Sequence, residues 1–213
     1  MQSPSSGALV SVIVRTVGRP ELARALACIE AQSYRPIEVV RIDAAARKLD
    51  RSQAANAGLA EAKGRWAIFL DEDDEIEAHH VSDLVATIQR ENDARVAYSQ
   101  TRLLDESGRI TRLLGGPFDH AALMRSNYLA IHAVLFDMSL VARGCRFDES
   151  LPMLEDWDFW LQLAARTRFA FTGKPTAIYH TGAGQSGAGS GANLDREAVL
   201  AARERLMRKW QVW

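Results

Sequence analysis

The sequence predicts an α/β fold with a mostly parallel, Rossmann-like central sheet flanked by helices, and three observations carry that expectation. β-Branched apolar runs alternate with stretches of helical periodicity through the first third of the chain. The connections between them are short. One run, Trp66-Ala67-Ile68-Phe69-Leu70, is apolar enough to bury on both faces and ends abruptly in Asp71-Glu72-Asp73-Asp74. Central parallel strands have that composition, and open α/β sheets place ligands at the carboxyl edge where such acids emerge.

Ala8 to Val14 is the first strand, broken at Arg15-Thr16-Val17-Gly18-Arg19. Pro20 then suits the first position of a helix, and Leu22, Ala25, Leu26 and Ile29 form its buried face. Ile37 to Asp43 is a second strand, again closing on an acid. Ser52 to Lys63 reads as a helix stopped by Gly64, and the Trp66–Leu70 strand follows. Val81, Leu84, Val85 and Ile88 mark the next helix. Val96 to Leu104 and Ile110 to Leu114 flank Asp105-Glu106-Ser107-Gly108-Arg109 and predict a hairpin. A segment of mixed character leads to a helix at Glu155–Ala164. Phe169–Phe171 and Ala177–His180 read as two short strands. Thr181 to Asn193, rich in Gly, Ser and Ala, is expected to form a mobile loop, and a last helix runs from Leu194.

The chain has 213 residues, enough for one substantial domain. A division at about residues 8–100, 101–193 and 194–213 follows from the change of pattern. The net charge of −1 gives no electrostatic footprint for nucleic acid. Cys28 and Cys145 lack metal-site spacing, and Cys28 on an apolar helical face reads as a reduced core thiol. No signal-peptide pattern opens the sequence, and no apolar stretch nears the ~20 residues of a membrane span. A cytoplasmic location is expected. Peripheral contact with the inner face of a membrane is compatible with the basic and aromatic C-terminus, although packing of that helix on the domain is favoured. Assembly into an oligomer or a larger chain is also compatible with the size.

The four acids have two readings. Crowded carboxylates repel unless a cation sits among them, and a hard divalent ion held by one or two carboxylates usually also holds substrate phosphates. The plainer reading is a solvated turn whose acids favour the next helix terminus, with Asp74 as a cap.

In order and spacing, these pieces resemble the family-2 glycosyltransferases of GT-A fold over nearly the whole chain. Val10-Ser11-Val12-Ile13-Val14-Arg15-Thr16 with Arg19-Pro20-Glu21-Leu22 is similar to that family's opening strand, loop and helix. Asn56-Ala57-Gly58-Leu59-Ala60 with Lys63-Gly64-Arg65-Trp66 is similar to the stretch before its metal strand, and Leu70-Asp71-Glu72-Asp73-Asp74 to its DXD-type motif. Phe147-Asp148-Glu149 and Glu155-Asp156-Trp157-Asp158-Phe159-Trp160-Leu161 are similar to the segment carrying its catalytic base.

The resemblance implies sugar transfer from a nucleotide-diphosphate-sugar, a UDP-sugar first, to an acceptor hydroxyl, with inversion and with Mn2+ or Mg2+. It implies a donor site of Thr16, Arg19, Asp43, Arg51, Asp71 and Glu72, with Asp43 facing the nucleobase. Glu72, where many relatives carry Asp, is expected to keep the charge and point away. Asp73 is implied as the direct metal ligand, with His180 touching the metal or diphosphate. Asp156 is implied as general base and Glu155 as its orienting partner or an acceptor contact. Trp157 and Trp160 are expected to be packing residues. Ala44 replaces the second acid many relatives have after this strand, and Ala55 a common Arg; Arg51 lies one turn earlier. The acceptor is a glycan, a lipid-linked group or another hydroxyl, and polysaccharide or glycan assembly is the family-level role. Two other classes stand beside this one: a non-catalytic nucleotide-sugar-binding relative or scaffold, and a metal-dependent nucleotidyltransferase. The latter wants a Gly-rich basic phosphate loop after the first strand, of which Thr16-Val17-Gly18-Arg19 is a poor version.

Overall fold

In the computed structural model, residues 7–181 and 196–211 are described. The opening strand β1 (Val10–Thr16) is followed by α1 (Leu22–Glu30), β2 (Ile37–Asp43), a single-turn α2 (Ala44–Arg47), α3 (Arg51–Glu61) and β3 (Trp66–Asp71). β1 pairs in parallel with β2 on one side and β3 on the other, so the first three strands form the parallel unit that their alternation predicts. Asp50 caps α3 by accepting from the Gln53 N–H, while the Gln53 side chain returns to the Asp50 N–H. Gly58 in α3 allows close approach to the sheet: a Cβ there would lie 2.3 Å from Ile13 Cγ2.

The remaining strands mix the sheet. After a two-residue β4 (Glu75–Ile76) and α4 (His80–Arg90) come β5 (Ala94–Leu104), β6 (Ile110–Leu114), α5 (His120–Arg125), β7 (Val134–Asp137), α6 (Met138–Ala142), α7 (Glu155–Ala164), β8 (Arg168–His180) and α8 (Arg196–Trp210). The order is β2-β1-β3-β7-β5-β8-β4, with β6 attached to β5 as the predicted antiparallel hairpin. β7 inserts between β3 and β5 and runs antiparallel to both. Being four residues long, it has too little period to announce itself within the 115–150 stretch.

The two expected strands at 169–171 and 177–180 are one strand, β8, paired in parallel with β5 throughout. Its register shifts near Gln100, and Gly173 at φ 71° absorbs the extra residues, so the turn-like Thr172-Gly173-Lys174-Pro175 bulges without ending the ladder.

Alternation along β1 distributes the chain into two cores. Val10, Val12 and Val14 face α1 and α4, joined by Ile29, Leu84 and Ile88. Ile13 faces the other way, towards α3, α7 and α8, with Phe69, Phe136, Phe159 and Trp160. Trp157 and Trp160 are buried there and donate their indole N–H groups to the carbonyls of Leu123 and Leu129. α8 packs onto the same core: Trp210 donates to Asp158 Oδ1 at 2.8 Å and Lys209 to Asp158 Oδ2 at 2.9 Å. Both cysteines are free thiols, Cys145 buried and Cys28 half-buried. Beyond Thr181, the expected loop lies outside the described residues, as does Trp213. No helix among the described residues is long and apolar enough to cross a membrane.

Candidate active site

β3 delivers its acids to the carboxyl edge of the sheet, where each carboxylate takes a different course. Asp71 is the register partner of Arg15 on β1, so both side chains leave the same face. Arg15 Nε and Nη2 donate to Asp71 Oδ1 and Oδ2, both at 2.7 Å. Arg15 Nη1 reaches Glu155 Oε1 at 3.3 Å. Arg51, in the first turn of α3, donates from Nε to the same Glu155 oxygen at 2.9 Å and lies 3.6 Å from Asp71 Oδ2. Two guanidinium groups thus bind one buried carboxylate, Glu155, and one partly buried, Asp71. Burial works against the charge on Asp71 and Glu155, but the arginines overcome it and hold both pKa values below the ordinary range.

Glu72 lines the larger cavity but turns its carboxylate into the loop after β1. Its carboxylate is buried, accepts from the Thr16 hydroxyl, and takes the backbone N–H groups of Val17 at 3.1 Å and Arg19 at 3.0 Å. The loop after β1 folds around this internal anion, which occupies the backbone donors that a phosphate would otherwise use. Thr16 and Arg19 nevertheless line the adjoining cavity.

Asp74 does not cap the next helix. It is buried, with Oδ2 2.9 Å from Nδ1 of the fully buried His132. Burial opposes a charge on His132, but Asp74 first, and then Asp71 and Asp73, raise its pKa above the usual imidazole value. Asp73 is left as the half-buried acid of the group, held by Arg19 Nη1 at 3.1 Å. Burial, and after it the charges of Asp74 and Asp71, push its pKa up.

α7 starts at Leu154, whose left-handed backbone (φ 62°, ψ 21°) is strained for a side chain with a Cβ. The turn presents Glu155 to the arginines and Asp156 to the open side. Asn127 Nδ2 donates to Asp156 Oδ2 at 2.9 Å, and the Trp157 N–H to Oδ1 at 2.8 Å. Burial, and next the charge of Glu155, push the Asp156 pKa up to about 6.

Two cavities meet along this line. One, of about 630 Å³, is lined by Thr16, Arg19, Arg51, Asp71, Asp73 and Arg205 among others. The second, of about 440 Å³, is lined by Asn127, His132, Glu155 and Asp156. Arg51, Asp71 and Asp73 belong to both.

Residues 44–146 match the family model described as glycosyl transferase family 2. The resemblance read from the sequence holds over that segment. Residues 1–349 of S. aureus TarS in complex with UDP-GlcNAc superpose with a TM-score of 0.69 at 18% identity, covering 94% of this chain and 66% of that one. The mannosyltransferase PcManGT from Pyrobaculum calidifontis, in complex with GDP-Man and Mn2+, gives 0.60 at 17% identity over 84% of this chain and 58% of that one. The fold is therefore GT-A, its mixed, curled sheet flanked by helices. A curated relative, the uncharacterized protein y4gI of Sinorhizobium fredii, is 27% identical over 150 residues, which is 70% of this chain and 16% of its own length. The chain thus spans under two thirds of each of these proteins and only a small part of the last.

Against the family-2 expectations, Asp71, Glu155, Asp156, Thr16, Arg19, Arg51 and Asp73 converge on one line. Asp43 lies beside it on the β1–β2 edge, where its carboxylate caps α2 by accepting from the Ala46 N–H at 2.8 Å. His180 is not brought to Asp73; its Nε2 pairs with Glu75 Oε1 at 2.5 Å across the β4–β8 ladder, and it lines neither cavity. Arg15 and His132 are the additions. The sequence predicts a break at Arg15, yet β1 runs to Thr16, and the alternation that turns Ile13 towards α3 continues to Arg15 and points it into the site. Nothing local marks His132, which reaches Asp74 only through the placement of the short segment before β7.

Among the described residues no three His, Cys, Asp or Glu side chains are grouped to hold a metal ion unaided. The acids do suit one that takes its remaining ligands from a substrate. Asp71, Glu72 and Asp74 are committed to Arg15, to the N–H groups of the β1 loop and to His132, while the half-buried Asp73, paired with Arg19, faces both cavities.

Proposed function

We propose that this domain is a metal-dependent glycosyltransferase that moves a sugar from a nucleotide-diphosphate-sugar, a UDP-sugar first, to an acceptor hydroxyl with inversion. The observation that carries it is the pair of cavities joined at Arg51, Asp71 and Asp73, with Asp156 on the second. A two-substrate transfer needs such a junction, because the anomeric carbon must face the acceptor while its diphosphate lies behind.

Asp73 would hold Mn2+ or Mg2+, which when bound supplies positive charge for the departing diphosphate. Asp156 takes the acceptor proton as the acceptor oxygen bonds to the anomeric carbon and the bond to the diphosphate oxygen breaks. Asn127 and the Trp157 N–H hold the Asp156 carboxylate in one orientation for that transfer. Arg15 and Arg51 neutralise Asp71 and Glu155, so that the diphosphate need not approach two bare anions. The solved neighbours bound to UDP-GlcNAc and to GDP-Man with Mn2+ support a nucleotide-sugar donor. Glu72 inside the loop after β1 weighs against a nucleotidyltransferase, which would want those N–H groups for phosphate. A role in polysaccharide or glycan assembly in the cytoplasm, at or near the membrane face, accords with this activity.

Calorimetric titration with UDP, GDP, dTDP and CDP, each with and without Mn2+, tests it. One nucleotide should bind tightly and lose that binding when the metal is withheld. Binding of none would bring the scaffold alternative forward.

A further inference from the structure

The second cavity has a composition that bears on what the acceptor is. Away from the acid edge, its wall is apolar: Leu103 and Leu114 from the β5–β6 hairpin, Leu129 and Ile131 before β7, Met153 before α7, and Val199 of α8. The polar side chains among them are few and partly engaged. The Asn127 amide donates to Asp156 while its oxygen accepts the Leu129 N–H at 3.0 Å, and Arg203 donates to the Arg125 carbonyl at 3.1 Å. Ser126 and Tyr179 remain as hydroxyls on the lining. A free sugar carries a hydroxyl on most of its ring carbons and would leave several without partners against this wall, each losing its hydrogen bonds to water. An alkyl or aryl body would instead displace water from it at no such loss. The volume, about 440 Å³, suits a small molecule or the terminal part of a larger one.

We infer that the acceptor is an alcohol whose reacting hydroxyl is carried on an apolar alkyl or aryl body, seated between Asp156 and the Leu103–Met153 wall, and not a free polyhydroxylated sugar. This rests on the transferase reading of the same site. The hydroxyl enters beside Asp156, and the body occupies the leucine wall.

The test is calorimetric, on protein saturated with UDP and Mn2+, titrated with glucose, phenyl β-glucoside and octyl β-glucoside below its micelle concentration. Both glycosides should bind about tenfold or more tighter than glucose, from the apolar area they bury. Leu103→Asp and Met153→Asp, tested separately so that a loss of folding in one leaves the other informative, should each abolish that difference. Val39→Asp, at an exposed position on the outer strand β2, should leave it intact. Equal affinities, no binding of either glycoside, or a preference that survives both cavity substitutions overturns the inference. Failure of UDP itself to bind counts against the donor site instead, and the glycoside comparison then proceeds on nucleotide-free protein.

Discussion

Arg15 and Asp71, register partners on adjacent parallel strands, form a two-pronged ion pair at 2.7 Å on each prong, and the same guanidinium extends to Glu155 on α7. One buried side chain thus ties the edge of the larger cavity to the helix that carries Asp156. Arg15→Met keeps the bulk and removes one of the two guanidinium partners that Asp71 and Glu155 share. Loss of one member of a buried pair costs about 3–5 kcal/mol, so denaturant unfolding should show a drop of that order. Arg15→Lys, with one compact charge in place of a fork, should recover only part of it.

Asp156→Asn should lower transfer by about 10²–10⁴-fold, the usual contribution of a positioned base. In the wild type, kcat/KM should fall on the acid side of about pH 6, where Asp156 becomes protonated. The stability sign runs the other way. A carboxyl with a raised pKa stabilises the fold while protonated, and that contribution is lost as pH rises through about 6. The melting temperature of Asp156→Asn at pH 8 should therefore equal or exceed that of the wild type. Undiminished turnover would remove Asp156 from the base role.

Asp73→Asn tests the metal ligand separately from the fold. Nucleotide titrations with and without Mn2+ should give the same weak isotherm for the variant, against a metal-dependent one for the wild type. The melting temperature should hold or rise, since Asp73 is an acid whose charge burial and its neighbours disfavour.

His132→Gln removes the cation beside Asp74. Because His132 has a raised pKa, its stabilisation is present at and below the ordinary imidazole range and fades as pH climbs through its folded value. The gap between wild type and variant in urea unfolding should be wider at pH 6 than at pH 10.

Gly58→Ala probes the packing of α3 on the sheet. The new methyl would meet Ile13 Cγ2 at 2.3 Å, far inside contact distance. Overpacking of this kind costs about 1–3 kcal/mol, and the shift of α3 should also weaken nucleotide binding through Arg51.

The sequence by itself determined the elements that repeat with a clear period: β1, β2, β3, α1, α3, α4, the β5–β6 hairpin and α7. It also determined the order of the acids and the presence of Asp156 in the first turn of α7. These follow from local spacing, since burial on one face imposes a period of 2 or 3.6 whatever the rest of the chain does. Only the tertiary structure decided the antiparallel insertion of β7, the continuity of β8 through its bulge, and the partner of each acid. Glu72 turned into the β1 loop, Asp74 met His132, and His180 went to Glu75 rather than Asp73. A carboxylate's function depends on which charges lie within a few ångströms, and residues from 56 (Arg15 and Asp71) to 140 (Arg15 and Glu155) positions apart supply those charges. Their identity is written in the chain, but their distance is set by the sheet order and by the packing of the helices upon it.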